Sequence, residues 1–135
     1  MSLDIQQREH EGIEILDLKG RITVGQEAGA LRDKVASVTA VGSKNIILSL
    51  AHVDYIDSTG LGALVMCATT QRKAGGALKL LNLNRRNIEL LVMTKLATVF
   101  DLFTDEQDAI NSFFPDRAIK TFDILSFVEQ MKKEE

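Results

Sequence analysis

Hydrophobic and polar residues mostly alternate at the amino end of the chain, as they do in strands with one covered face. A first strand is expected from Leu3 to about His10, and a second over residues 13–18, ending where Gly20 interrupts the pattern. The segment of residues 10–12, with a glycine at its end, is expected to form a hairpin turn between them. The pattern therefore predicts two paired strands before any helix.

Two later runs are almost continuously apolar. They cover residues 45–50 and 77–83, and each is short enough to be a strand. Such runs are typical of strands with both faces covered. Residues 99–103 predict a further short strand or connector. Helices between these segments would cover the sheet and make the domain α/β with a mixed sheet.

Apolar residues at helical spacing fill the intervening segments. The predicted helices span residues 26–41, 58–73, 84–95 and 104–114. The first would bury the residues of one face, which are Ala28, Leu31, Val35 and Val38. Gly75 and Gly76 are expected to end the second helix, since glycine accepts a left-handed cap. Thr104 is expected to cap the fourth, with Gln107 at the capping-box position.

The segment after Pro115, the only proline, forms a separate unit in this interpretation, so residues 1–115 are expected as the domain and 116–135 as a helical extension. Within the extension, residues 122–133 are predicted to form an amphipathic helix. Its apolar positions follow helical spacing and are Ile124, Leu125, Phe127, Val128 and Met131. The fold expected is a single α/β domain with a mixed sheet, about four helices and this C-terminal helix. Packing on its own domain, and docking on a second subunit or a partner, both remain open for the extension.

Composition narrows the function. The 135 residues carry a formal net charge of −3 and no long cluster of basic residues, which argues against direct nucleic-acid binding. Cys67 is the only cysteine, and with only His10 and His52 the chain has no spacing typical of a metal site, so neither metal nor cofactor is expected. The charged start lacks the apolar stretch of a signal peptide, and no run is long enough to span a bilayer. A cytoplasmic protein is therefore expected.

One stretch, YIDSTGLGAL at residues 55–64, places an acid, two hydroxyls and two glycines where a strand gives way to a helix. Ser58 is the expected N-cap of that helix. Gly60 and Gly62 would keep the surface around the helix start free of bulk, and free amides there tolerate a phosphate. A well-capped helix with glycines for packing would explain the same residues, but one capping residue would suffice for that.

The motif does not match the sequence patterns of known catalytic or nucleotide-binding sites. A hydrolase nucleophile elbow needs glycine two residues on either side of the serine, and Ile56 occupies one of the two positions around Ser58. Thr59 interrupts the Asp-Thr/Ser-Gly triplet of aspartic proteases, and the Gly-Lys-Ser/Thr end of a P-loop is missing. His52 is the nearest histidine, and a lone histidine there is more typical of a surface residue than of a base. The protein is not expected to be an enzyme.

Three segments together carry a family resemblance. They are ILSL with VDYIDSTGLG at residues 47–62, AGG with LKL at residues 74–80, and LL, TKL and VF at residues 90–100. In this order they resemble the STAS domain of bacterial anti-sigma factor antagonists, over roughly residues 4 to 113. The resemblance implies a regulatory protein that binds other proteins. One departure is Thr23, which stands where many members carry an acidic residue shortly after the glycine of the second strand.

The resemblance also implies a phosphorylation switch. Ser58 would be phosphorylated by an anti-sigma factor of the serine-kinase type, with Thr59 as the alternative hydroxyl. The unphosphorylated protein would sequester that anti-sigma factor and release the sigma factor, and a phosphatase would reset the cycle. The partner-binding residues implied are Asp57, Ser58, Thr59, Gly60, Gly62 and Met66.

The helix after the motif is expected to divide into two faces. The core face holds Leu61, Leu64, Val65 and Ala68, and the outer face, continuous with Ser58, holds Gly62, Ala63, Met66 and Thr70. An exposed Met66 would suit an adaptable protein contact, and it would equally suit packing on a neighbouring helix. A STAS subunit of a larger assembly, such as a stress-signalling scaffold or an accessory of lipid transport, is the alternative function. A homodimer also fits either function.

Overall fold

A computed structural model describes residues 3–134 of the chain. The sheet contains β1 (Leu3–His10), β2 (Ile13–Ile22), β3 (Asn45–Ile56), β4 (Ala77–Leu81) and β5 (Asp101–Phe103). The helices are α1 (Gln26–Ala40), α2 (Ser58–Lys73), α3 (Arg85–Met93), α4 (Glu106–Asn111) and α5 (Ile124–Lys133). Strands follow the order β1-β2-β3-β4-β5, with β1 antiparallel to β2 and the other neighbours parallel. The predicted mixed α/β fold is confirmed.

The predicted hairpin joins β1 to β2 through two residues. Glu11 has a φ of 55° and Gly12 a φ of 83°, and His10 pairs with Ile13 across the turn. Positive φ at both turn residues matches the right-handed twist of the strands, and glycine takes that conformation without steric cost. The first part of the sheet is therefore set by a local signal in the sequence.

Both β2 and β3 are longer than the apolar patterns predict. The expectation that Gly20 ends the second strand is wrong, because β2 continues to Ile22 through irregularities in its register with β3. Glycine within a strand often marks such a bulge. The longer β3 ends at Ile56, which pairs with Ile22. This pairing brings the carboxyl ends of β2 and β3 together directly before α2.

Helices cover both faces of the sheet. The larger apolar cluster joins the sheet to α1, α2 and α3, and the smaller one joins it to α4. The predicted cap of α4 is wrong: Asp105, rather than Thr104, accepts a hydrogen bond from the amide of Asp108, and Gln107 donates to Glu11 and Asn111 instead of closing a capping box. A carboxylate one residue later serves the first turn of this short helix equally well.

The extension after Pro115 forms the predicted helix, two residues shorter at its start. The amide of Phe122 donates to the carbonyl oxygen of Leu102 at 3.0 Å, and Phe122 and Ile124 pack against the larger cluster. Leu125 remains 74% exposed. The extension therefore contacts its own domain through Phe122 and Ile124 and through an ion pair between Glu134 and Arg85, and it leaves part of α5 uncovered. Residues 1, 2 and 135 of the predicted domain and extension lie outside the described residues.

Candidate functional site

The motif lies at the edge of the sheet where the parallel strands β2, β3 and β4 end. This edge is where proteins with parallel sheets commonly bind their ligands. Ile56 closes β3, Asp57 follows, and Ser58 is the first residue of α2. The loop from Thr23 to Gly25, between β2 and α1, lies next to this point because β2 ends beside β3. The surface around Ser58 is thus built from two strand ends and a helix start.

Asp57, and not Ser58, is the N-cap of α2. Its Oδ1 atom accepts a hydrogen bond from the amide of Gly60 at 2.8 Å, and its Oδ2 atom accepts one from the amide of Val24 at 2.9 Å. These two amides, with that of Gly60 contributing most, hold the pKa of the Asp57 carboxyl below its ordinary value. The expectation that Ser58 caps the helix is wrong because the carboxylate one residue earlier occupies that role.

The two glycines of the motif have different environments. A Cβ atom on Gly60 would overlap the carbonyl oxygen of Ile22 and lie 2.7 Å from its carbonyl carbon. Gly60 is buried, so it allows close packing of α2 on β2, and the expectation that it leaves open surface is wrong. Around a Cβ atom on Gly62 there is open space, and this residue is exposed as expected.

Ser58 and Thr59 are both exposed at the start of α2. Within residues 3–134 neither hydroxyl makes a hydrogen bond with another residue. Because Asp57 satisfies the helix start, the two hydroxyls are not needed for capping. Both are therefore accessible to an enzyme or a binding partner, and accessibility does not distinguish between them.

The outer face of α2 is narrower than expected. Met66 is 55% exposed and Thr70 is also exposed, but Ala63 is only 4% exposed and belongs to the covered side. A helix turns about 100° per residue, which rotates Ala63 away from the line of Gly62 and Met66. Leu61, Leu64 and Ala68 are buried as expected, while Val65 is half-buried.

A cleft of about 400 Å³ runs beside Met66, between α1 and α2. Arg32 and Asp33 of α1 and Thr70 of α2 contribute polar side chains to it. Cys67 also borders the cleft, but burial raises the pKa of its thiol to about 11. A thiol with so high a pKa carries little thiolate, so Cys67 is a packing residue.

A second cleft, of about 270 Å³, opens on the other side of Ser58 against α3. Asn84 and Asn87 fix α3 there, because both side-chain amides donate to the carbonyl oxygen of Val53, at 3.2 and 3.0 Å. Arg86 lies over the ring of Tyr55 in this cleft. Tyr55 and Arg86 could not be predicted as site residues from the sequence, since no local pattern brings a residue of α3 to the end of β3.

Thr23, the departure from the family pattern, is the first residue of the loop between β2 and α1, which Asp57 contacts through Val24. Its hydroxyl donates to a carboxylate oxygen of Glu27 at 2.9 Å. An acidic side chain is therefore present here as well, supplied by the first turn of α1. The loop beside Ser58 thus combines a half-buried threonine with an exposed Val24.

Other site chemistries find no support in the part of the chain that is described. No group of three or more His, Cys, Asp or Glu residues that could hold a metal ion occurs there. None of the helices over residues 3–134 is both long and apolar enough to cross a membrane. His52 is an exposed residue within β3, four residues before the strand ends, rather than at its end.

A model of the STAS domain matches residues 4–109. The chain belongs to the STAS domain family. It is 31% identical to the anti-sigma-B factor antagonist of Bacillus subtilis (strain 168) over 110 residues, which are 82% of this chain and 99% of that relative. The family resemblance expected from the motif is thereby confirmed.

Several solved structures share this STAS fold. An anti-sigma factor antagonist from Mycobacterium paratuberculosis superposes with a TM-score of 0.71 at 20% identity, over 83% of this chain and 94% of that one. The Bacillus cell fate determinant SpoIIAA in its phosphorylated form superposes with a TM-score of 0.63 at 17% identity, over 81% and 98% of the two chains. These similarities establish the fold, and they leave the site residues to be argued from this chain.

Proposed function

We propose that this STAS protein is an anti-sigma factor antagonist. It binds an anti-sigma factor of the serine-kinase type through the surface around Ser58 and so releases a sigma factor. The proposal is supported by the relative from Bacillus subtilis, which bears that function in its name and matches over 99% of its own length. The protein acts by binding and not by catalysis, and it acts in the cytoplasm, where sigma factors meet RNA polymerase.

The observation that supports the proposal most directly is that Asp57 caps α2 while the Ser58 hydroxyl has no structural role. Asp57 holds the helix start and the neighbouring loop, so Ser58 presents a hydroxyl that the fold does not use. Phosphorylation of Ser58 by the anti-sigma factor would add about −1.5 to −2 charges. The added charge is compatible with the start of α2, where the helix dipole is positive. The switch therefore changes the binding surface while the domain stays folded.

The binding surface proposed comprises Asp57, Ser58, Thr59, Gly62 and Met66. Gly62 and Met66 extend it along the exposed side of α2, and the cleft beside Met66 offers room for a partner side chain. Gly60 is buried and contributes by letting α2 pack closely on β2 rather than by touching the partner. Thr59 is the alternative phosphoacceptor because it is also an exposed residue with a hydroxyl group. A phosphatase would restore the unmodified state.

Affinity capture from the native host tests the proposal. Tagged Gly62→Arg and Gln6→Arg variants add the same charge, one at the rim of the site and one on the exposed part of the edge strand β1. Wild type and Gln6→Arg are expected to retain a kinase-type anti-sigma factor identified by mass spectrometry, and Gly62→Arg is expected to lose it. Retention of components of a transport complex or signalling scaffold instead would favour the STAS subunit of a larger assembly.

A further inference from the structure

The cleft between the end of β3 and α3 opens directly beside the proposed phosphorylation site. Ser58 and Asp57 border it on one side, and Arg86, Leu90 and Met93 border it on the other. Its volume of about 270 Å³ leaves room for a group the size of a phosphate. Whatever is attached to Ser58 therefore has the side chains of α3 as neighbours.

Arg86 is held in this cleft by an aromatic contact. The central carbon of its guanidinium group lies 5.0 Å from the centroid of the Tyr55 ring. Such a cation–π contact favours a position of the guanidinium group over the ring while its N–H groups stay available to an acceptor. Among residues 3–134 no carboxylate forms an ion pair with Arg86. The cleft thus contains a guanidinium group that lies over an aromatic ring and, among the described residues, has no carboxylate partner.

The acidic side chains around Arg86 already have partners. Both oxygens of Asp57 accept hydrogen bonds from backbone amides, and Glu89 accepts one from Nε of Arg85 at 2.8 Å. Arg85 also pairs with Glu134 after α5. The two adjacent arginines therefore differ: Arg85 pairs with two carboxylates, whereas Arg86 borders the same cleft as Ser58.

We propose that Arg86 binds the phosphoryl group of phosphorylated Ser58 within the same chain. The planar fork of a guanidinium group matches two phosphate oxygens, and such charge-assisted hydrogen bonds are about twice as strong as neutral ones. Tyr55 reduces the entropy cost of ordering Arg86 because the contact already holds the guanidinium group over the ring. This inference rests on the proposed function for the identity of the modified residue, and it adds the group that receives the phosphate.

Capture by Arg86 would extend the effect of phosphorylation to the surface of α3. Met93, at the end of α3 and bordering the same cleft, is 74% exposed. A phosphate held between Ser58 and Arg86 would fill the cleft beside Leu90 and Met93 with a hydrated dianion. A partner that covers both α2 and α3 would then have to displace that water.

The test uses protein with phosphoserine incorporated genetically at position 58, so that no kinase is needed. Phosphorus NMR during a pH titration reports the second pKa of the phosphate, which is about 6 in an isolated phosphoserine. A bound guanidinium group favours the dianion and lowers this pKa. Arg86→Gln is expected to raise this second pKa of the phosphate by roughly half a unit or more. The shift is smaller than for a buried ion pair because the site is exposed to solvent.

Arg85→Gln is the matched control, since it removes the same charge one residue away. Arg85→Gln is expected to shift the phosphate pKa by no more than about a quarter of the shift that Arg86→Gln produces. The reason is that Arg85 is already paired with carboxylates and lies outside the cleft. Arg86→Lys is expected to restore only part of the wild-type value, because it returns the charge without the fork. Equal shifts in the two glutamine variants, or none in Arg86→Gln, would overturn the proposal.

These outcomes are independent of the proposed function. If the host never phosphorylates Ser58, the NMR titration can still show that Arg86 binds the phosphate. If the titration shows no role for Arg86, the antagonist function can still stand on partner binding. Thermal melting of each variant confirms that it is folded before the titration is interpreted.

Discussion

The carboxylate of Asp57 accepts a hydrogen bond from the amide of Val24 at 2.9 Å, across 33 positions of the chain. The same side chain caps α2 through the amide of Gly60. One residue therefore ties the β2–α1 loop to the start of α2 and sets the geometry of the surface around Ser58. The acid directly before Ser58 therefore has a structural role that is separate from any partner binding.

Stability should depend on pH through Asp57. Its pKa in the folded protein is lowered from an ordinary value of 3.8, chiefly by the amide of Gly60 and then by that of Val24. The stabilisation is therefore fully present above about pH 4 and is lost as pH falls through the lower folded pKa. Urea unfolding of wild type and Asp57→Asn should show a difference in free energy that is largest near neutral pH and shrinks towards pH 2.

Other carboxyl groups, among them those of Glu106 and Asp123, also have lowered pKa values in the folded protein. Their protonation in acid therefore destabilises the wild type as well. Comparing the two proteins at each pH cancels their contribution, since both carry these groups. A difference that stays constant down to pH 2 would contradict the role assigned to the ionised Asp57.

The two glycines of the motif should respond in opposite ways to alanine. Gly60→Ala places a Cβ atom against the carbonyl of Ile22 and should destabilise the fold by about 1–3 kcal/mol or more, as overpacking does. Gly62→Ala has open space and should be neutral or stabilise α2 by up to about 1 kcal/mol, because alanine favours helix. Chemical denaturation measures both. Equal destabilisation of the two variants would show that Gly60 is not packed on β2.

Much of the fold could be predicted from apolar periodicity, because the burial of each element follows its own sequence. Ala28, Leu31, Val35 and Val38, expected on one helix face, are all buried. The β-hairpin could also be predicted from a local signal, since glycine at the second turn position favours the turn. The extent of β3 was missed because its last residues, up to Ile56, become strand through pairing with β2, which a single segment does not reveal.

The site was predicted in part. The exposure of Ser58 and Met66 agrees with the expectation, but both Ser58 and Asp57 are good N-caps, and only the structure distinguishes them. The packing of Gly60 on Ile22 and the position of Arg86 beside Tyr55 depend on contacts distant in sequence. The proposal of Ser58 as phosphoacceptor comes from the family resemblance alone, because no local physical pattern distinguishes a phosphorylated serine.

The extension should be held mainly by Phe122. This side chain packs against the larger apolar cluster and against the ring of Phe127, with ring centroids 5.8 Å apart. Phe122→Ala should lower the free energy of unfolding by about 1–3 kcal/mol, which is less than the loss expected at a fully buried phenylalanine. Leu125→Ala, at an exposed position, should change it by no more than about 0.5 kcal/mol. Thermal or chemical unfolding measures both, and a larger effect at Leu125 would place the contact on the other face of α5.

Deleting residues 116–135 extends the same test. The shortened protein is expected to fold, to lose the helical circular dichroism signal of α5 and to be less stable or less soluble, since the part of the larger apolar cluster that Phe122 and Ile124 cover becomes exposed. An unchanged helical signal would show that the extension is not helical in solution. An unfolded product would contradict the assignment of residues 1–115 as the folding unit.

The central claim is that phosphorylation of Ser58 weakens partner binding. A phosphate at the start of an exposed helix is favourable by about 0.3–1 kcal/mol, so the domain should stay folded. The dianion lies beside the Asp57 carboxylate and holds water that a partner must remove, so the complex should be weakened. Ser58→Ala should bind the anti-sigma factor constitutively, while Ser58→Asp should bind at least about tenfold more weakly, which corresponds to about 1.4 kcal/mol.

The most direct measurement combines phosphorylation and binding with the cognate anti-sigma factor. Incubation with ATP should label wild type and Thr59→Ala but not Ser58→Ala, and calorimetry should then show that the labelled wild type has lost at least about tenfold in affinity. Labelling that persists in Ser58→Ala and vanishes in Thr59→Ala would transfer the switch to Thr59. Equal affinity of the wild type, Ser58→Ala and Ser58→Asp proteins would contradict a phosphorylation switch at this surface.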